Sequence, residues 1–164
     1  MTDHTKAVVA FDAAIAKATT ADDAFSALQT LVRDVVGAKL FTVMLVDWDL
    51  EVSRRAYTSH PETYPTSGTK PLNYGPWFDI VHGKRECYVA NTIEDIAKVL
   101  FDHETINALG CQSVVNYPVI VKDKLIGTMN MLDVEGHFTP EKVETIRNVL
   151  GTPAKLAVLV ATTL

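Results

Sequence analysis

The stretch NYPVIVKDKLIGTMNML, residues 116 to 132, constrains this chain more than any other. Two apolar runs flank the polar turn Lys122-Asp123-Lys124, so the chain folds back on itself as a β-hairpin. A three-residue turn sets Asn116 opposite Asn130 and Val114 opposite Leu132, and opposed residues share a face of the sheet. Thr128, Asn130 and Asn116 then mark one polar-tinged face, while Val115, Tyr117, Met129 and Met131 mark the other. Asparagine is poor strand material and costly to bury without partners. A face with two such amides either pairs them with each other or aims them at a polar ligand.

The flanking segments supply the rest of a fold. Ala7, Val8, Phe11, Ala14, Ile15 and Ala18 recur at helical spacing and predict a helix over 4–18. Phe25, Leu28, Leu31, Val32 and Val35 predict a second over 22–36, capped by Thr20 or Asp22 and stopped by Gly37. KLFTVMLVD (39–47) and EVSRRAYTS (51–59) read as a second hairpin, with Thr42 and Met44 on one face of its first strand. Arg54 and Arg55 sit on its second strand. One points to each face, and an arginine facing a pocket would hold a carboxylate bidentately. The alternative is a solvated edge-strand arginine.

A long loop follows, HPETYPTSGTKPLNYGP, stiffened by Pro61, Pro65, Pro71 and Pro76. It carries His60, Tyr64 and Tyr74 and leads into Trp77 and Phe78, aromatics that either anchor the loop to the core or close over a ligand. Beyond it the pattern predicts a short helix over 77–83, a strand over 86–91 and helical turns over 92–110 ending at Gly110. Thr139-Pro140 opens a last helix that runs to about Leu164, with a break expected at Gly151-Thr152-Pro153. This order predicts the α+β class, a largely antiparallel sheet of five to six strands with helices packed on it.

Composition excludes several functions. In 164 residues, 48% are apolar and 21% charged, enough for one domain with a real core and unlike a disordered chain. The net charge of −5, with no basic run longer than a pair such as Lys84-Arg85, argues against a nucleic-acid surface. No apolar run approaches the ~20 residues of a membrane span, and the first residues show no basic-then-apolar leader, so a cytoplasmic protein is expected. Cys87 and Cys111 form no CxxC pair and read as free, buried thiols. His4, His60, His82, His103 and His137 show no ligand spacing, so no metal and no cofactor is expected. No Gly-rich phosphate loop, nucleophile triad or paired carboxylates stand out, and no catalytic residue is assigned.

The element order, together with SVVNYPVIVKDKLIGTMNMLDVEGHFTPEKVETI, resembles the GAF domain family. The resemblance rests on Pro118 within a strand, the polar turn Lys122-Asp123-Lys124, the aliphatic-Gly pair Ile126-Gly127 and the helix start Phe138-Thr139-Pro140-Glu141, and it covers roughly Asp22 to Leu150. It implies a single domain over 1–164. Its terminal helices, 4–18 and 140–163, would lie on one sheet face. A pocket on the other would be roofed by the loop 60–78 and short helices. Thr42, Met44, Asn116, Thr128 and Asn130 would line that pocket, with His60, Tyr64 and Trp77 from its roof.

Subclass signatures fit less well. Of the Asn-Lys…Phe…Asp-Glu motif of cyclic-nucleotide-binding members, Asn130 and Phe138 match, but Met131 replaces Lys and Lys142-Val143 stand near the acidic pair. Bilin-binding members use a Cys-His pair, whereas Cys87 precedes Tyr88 and Cys111 precedes Gln112. Free methionine sulfoxide reductases use carboxylates where this chain has Val114, Asn130 and Leu132, and a cysteine upstream of Cys111. The resemblance therefore implies a small-molecule-binding sensory or regulatory module without catalysis. The alternatives are a divergent thiol-dependent reductase using Cys111 or Cys87, or a ligand-free dimerisation scaffold. The apolar tail PAKLAVLVATTL and the Val8, Phe11, Ile15 face of the first helix predict a homodimer through the terminal helices.

Overall fold

The computed structural model describes residues 2–164. In chain order the elements are α1 (Thr5–Ala16), α2 (Ala21–Val35), β1 (Leu40–Asp47), β2 (Val52–Thr58), β3 (Lys70–Pro71) and α3 (Pro76–Phe78), which continues as a π-helical turn, Asp79–Gly83. Then come β4 (Tyr88–Ala90), α4 (Ile93–Ala97), α5 (His103–Ala108), β5 (Ser113–Val121), β6 (Lys124–Asp133), α6 (Pro140–Thr145), a π-helical turn at Ile146–Leu150 and α7 (Gly151–Thr163). They gather into two compact units. One is made of the residues up to Ala38 with Glu141–Leu164, the other of Lys39–Pro140.

The helical unit forms where its sequence signals stand. Thr20 caps α2: its Oγ1 accepts from Asp23 N at 3.1 Å while Asp23 Oδ2 accepts from Thr20 N at 3.0 Å, a reciprocal capping box. At the other end Gly37, at φ 80°, lets the chain leave α2 while its N–H bonds Val32 O. α2 buries Phe25, Leu28, Leu31 and Val32, and it packs against α1 and α7. α7 buries Ala154, Ala157, Val158 and Ala161, a small-residue face at helical spacing that permits close helix approach. Leu156 and Leu159 remain exposed. The break expected at Gly151-Thr152-Pro153 does not occur. The π-helical turn just before it widens the backbone, and the helix carries Pro153, which has no N–H to donate, without ending.

The second unit is built on a six-stranded antiparallel sheet of order β3-β2-β1-β6-β5-β4. β3 lies inside the segment whose prolines predict a loop. It is a two-residue edge strand in which Pro71 pairs with Val52, and an edge is where a strand tolerates proline. The central hairpin has the expected register, Asn116 opposite Asn130 and Val114 opposite Leu132. Its turn differs. Only Lys122 and Asp123 form it, at φ 51° and 62°, both in the left-handed region as a two-residue primed turn requires, and Lys124 already pairs with Val121. Arg85 braces this turn, its Nη2 donating to Asp123 O at 2.8 Å. A bulge between Val119 and Ile120 leaves Ile126 unopposed and restores the asparagine pairing.

The faces of the sheet follow the period of two. Phe41, Val43, Val115, Met129 and Met131 point one way and are fully buried. Leu40, Thr42, Val114, Asn116, Thr128, Asn130 and Leu132 point the other way, toward a cavity.

Candidate functional site

The cavity has a volume of about 300 Å³. Its floor is the polar-tinged sheet face, with Thr42 and Met44 from β1, Asn116 from β5, and Thr128 and Asn130 from β6. The proline-rich loop supplies Tyr64 and the segment from Lys70 into α3, including Trp77 and Phe78. A further wall comes from Val99, Leu100, Phe101 and Asp102 of the α4–α5 connection, with Ile106 from α5. Every ligand-binding residue expected from the sequence therefore lines one cavity except His60. His60 stays at the end of β2, where its N–H donates to Thr58 Oγ1 at 3.0 Å and its Nδ1 lies 2.7 Å from Ser59 Oγ. These short-range bonds hold the ring before the loop reaches the cavity.

A chain of hydrogen bonds crosses the floor. Trp77 Nε1 donates to Asn116 Oδ1 at 2.8 Å, Asn116 Nδ2 to Asn130 Oδ1 at 2.8 Å, and Asn130 Nδ2 to Thr42 Oγ1 at 3.2 Å. An indole N–H can only donate, so Trp77 sets the orientation of Asn116, and each amide sets the next. The cross-strand asparagines thus satisfy each other, and the relay ends on a hydroxyl that has accepted and still has its own proton to give. Among the described residues no protein acceptor takes that proton. The second amide protons are likewise spare. The floor therefore offers donors to whatever occupies the cavity.

The rim holds the charge. A bulge in β2, opposite the step from Val43 to Met44, decides which of Arg54 and Arg55 faces the cavity. Thr42 pairs with Thr58, but Met44 pairs with Arg55. Ala56 is thereby left unopposed, and Arg55 rather than Arg54 comes to the cavity face. Arg54 is exposed. The Arg55 guanidinium stacks on the Tyr64 ring, 4.7 Å from its centroid, and donates from Nη1 to Pro65 O at 3.1 Å. Burial pulls it below its ordinary pKa, with Tyr64 and Asp102 opposing that shift. Tyr64 Oη donates to Asp102 Oδ2 at 2.7 Å, and burial followed by this bond pushes the phenol well above its ordinary value. At the mouth, Lys70 Nζ sits 5.3 Å from the ring centroid of Phe101, a largely exposed side chain.

Asp102, Phe101 and their neighbours carry no motif, and nothing in the sequence pointed to them. An apolar run between two short helices was the only trace they left. The cysteines stand apart from the cavity lining. Cys111 is fully buried, and burial pushes its thiol above the ordinary value, the reverse of an activated nucleophile. Cys87 is half-buried. Among the described residues no cluster of His, Cys, Asp and Glu could hold a metal ion, and no helix is long and apolar enough to cross a membrane.

The profile of the GAF domain matches residues 18–154 of this chain. The chain belongs to the GAF domain family. Solved structures of the same fold agree along almost the whole length. The GAF domain of the Acinetobacter phosphoenolpyruvate-protein phosphotransferase superposes with a TM-score of 0.71 at 15% identity, covering 99% of this chain and 96% of that one. A methyl-accepting chemotaxis protein, residues 122 to 287, gives 0.70 at 19% identity, covering 97% and 99%. The phycocyanobilin-bound GAF domain of a cyanobacterial phytochrome gives 0.71 at 14% identity, covering 99% and 96%. At such identities the likeness concerns the GAF fold alone. No curated protein matches the chain in sequence.

Proposed function

We propose that this GAF domain is a sensory or regulatory module that binds a small molecule in the cavity above Thr42, Asn116 and Asn130, and that it performs no catalysis of its own. The relay from Trp77 to Thr42 carries this reading. It arms a largely apolar cavity with donors that the protein itself does not consume, the pattern of a ligand site rather than of a sealed core. Tyr64 and Trp77 act as roof. The phytochrome GAF domain binds phycocyanobilin, which supports a ligand in this fold but does not name one here.

Binding is read out through the terminal helices of a homodimer. The exposure of Leu156 and Leu159 on an otherwise apolar α7 supports that partner. Two free cysteines fit a cytoplasmic, reducing setting.

The test is thermal stabilisation by a panel of metabolites, since a ligand that binds only the folded chain raises the melting temperature by linkage. A hit should lose most of its shift in Thr42→Val, which removes the hydroxyl but keeps the shape. A panel without any hit, or a hit indifferent to Thr42→Val, speaks against this site.

A further inference from the structure

The guanidinium of Arg55 is only half used. Its Nη1 donates to Pro65 O, but Nε is buried with no acceptor. Among the described residues Nη2 has no protein acceptor either, and Arg55 has no interaction beyond those named above. A buried, charged donor left without an acceptor is costly, and native structures rarely keep one without a reason. The vacant Nε–Nη2 edge is the side-on fork that holds a carboxylate by two parallel bonds. Stacking on Tyr64 and the tether to Pro65 O fix the plane of that fork before any ligand arrives.

The neighbouring charges agree. The charged residues lining the cavity are Arg55, Lys70 and Asp102, and Asp102 Oδ2 is already taken by the Tyr64 hydroxyl. Arg55 pairs across the sheet with Met44, and Thr42 lies two residues along the same face, about 7 Å away. Around the fork and the relay the lining is largely apolar, with Leu40, Val114 and Leu132 among it. The volume suits on the order of ten non-hydrogen atoms.

We propose that the ligand is a small organic carboxylate, its carboxyl held side-on by Arg55 and a hydrogen-bond acceptor at its other end reaching Thr42. This rests on the reading that the cavity takes a ligand at all. Para-substituted benzoates, 4-acetylbenzoate among them, and their neutral amides serve as probes for calorimetric titration. The benzoates should bind at least tenfold more tightly than the amides. Arg55→Lys keeps the charge but loses the fork, and should weaken the benzoates at least tenfold and the amides by a much smaller factor.

In the unaltered protein, the Arg55 Nε–H resonance should shift on adding benzoate and stay in place on adding amide, a readout that needs no variant to fold. Equal binding of acids and amides, or a still Nε–H resonance under saturating benzoate, overturns the carboxylate assignment and leaves the ligand-binding reading intact. No binding by either series at millimolar concentration overturns both.

Discussion

Tyr64 Oη donates to Asp102 Oδ2 at 2.7 Å, which ties the proline-rich loop to the α4–α5 connection across the rim of the cavity. Tyr64→Phe keeps the ring under Arg55 but removes that tie. At a half-solvated rim it should cost about 1 kcal/mol, measured by urea unfolding. The same substitution has a signature in pH. The folded phenol titrates above the ~10 of an unfolded tyrosine. Above pH ~10 the folded state therefore keeps a proton that the unfolded chain has lost. The stability this contributes is complete below pH ~10 and is lost as pH rises toward the folded value. Tyr64→Phe should make the alkaline decline shallower by up to one proton. An unchanged slope would show that the phenol is not held by Asp102.

Asn130→Leu cuts the relay at its centre, leaving Asn116 Nδ2 and the Thr42 hydroxyl without their partner. The loss should be about 1–3 kcal/mol, seen as a lower urea midpoint at constant m-value. Adding Asn116→Leu should cost less than the sum of the two single changes, because one satisfied pair is removed rather than two independent groups. Strict additivity would mean that the amides do not act as a pair.

A Cβ added at Gly127 would fall inside contact distance of the Met44 carbonyl oxygen, in the strand paired alongside. Backbone cannot step aside as a flexible side chain does. Gly127→Ala should therefore destabilise the protein by about 3 kcal/mol, a large effect for one methyl group. A melting temperature within a degree of the parent would show that β1 and β6 separate there more easily than the geometry allows.

The thiol of Cys111 is fully buried and held protonated by burial. Iodoacetamide at pH 8 should leave it unmodified in the folded protein and alkylate it in urea, with peptide mass spectrometry locating the label. The double change Cys87→Ala, Cys111→Ser should fold and keep any ligand binding. Fast native labelling of Cys111, or a thiol-dependent turnover that the double change abolishes, would favour a reductase.

Leu159 is 42% exposed on α7, beside Leu156 at 38%. Leu159→Glu changes little inside the helix, yet it puts a charge on that apolar surface. Sedimentation at micromolar concentration should show a dimer for the parent and a monomer for the variant. A soluble monomeric parent ends the dimer reading.

Much of this protein was determined by local sequence. Period two in residues 112–133 was enough to assign Asn116, Thr128 and Asn130 to one face, since alternation needs no knowledge of distant chain; it also put Thr42 and Met44 on one face of 39–47, and the GAF resemblance joined that face to the pocket. Thr20 was among the expected caps because a capping box closes within four residues. The GAF resemblance was legible for the same reason, in short-range marks such as Pro118 and Phe138-Thr139-Pro140-Glu141.

What the tertiary structure decided are matters of one residue or of long range. With uninterrupted alternation from the Thr42–Thr58 pair, Arg54 would face the cavity; the bulge at Ala56 brings Arg55 there instead. The hairpin turn is shorter than its sequence suggests, and a second bulge at Ile126 compensates for the missing residue. Asp102 and Phe101 reach the rim, and His60 fails to, because loop paths are set by contacts far apart in the chain, such as Tyr64 with Asp102. A strand's period survives in its own residues. A bulge belongs to two strands at once, and only their pairing shows where the extra residue goes.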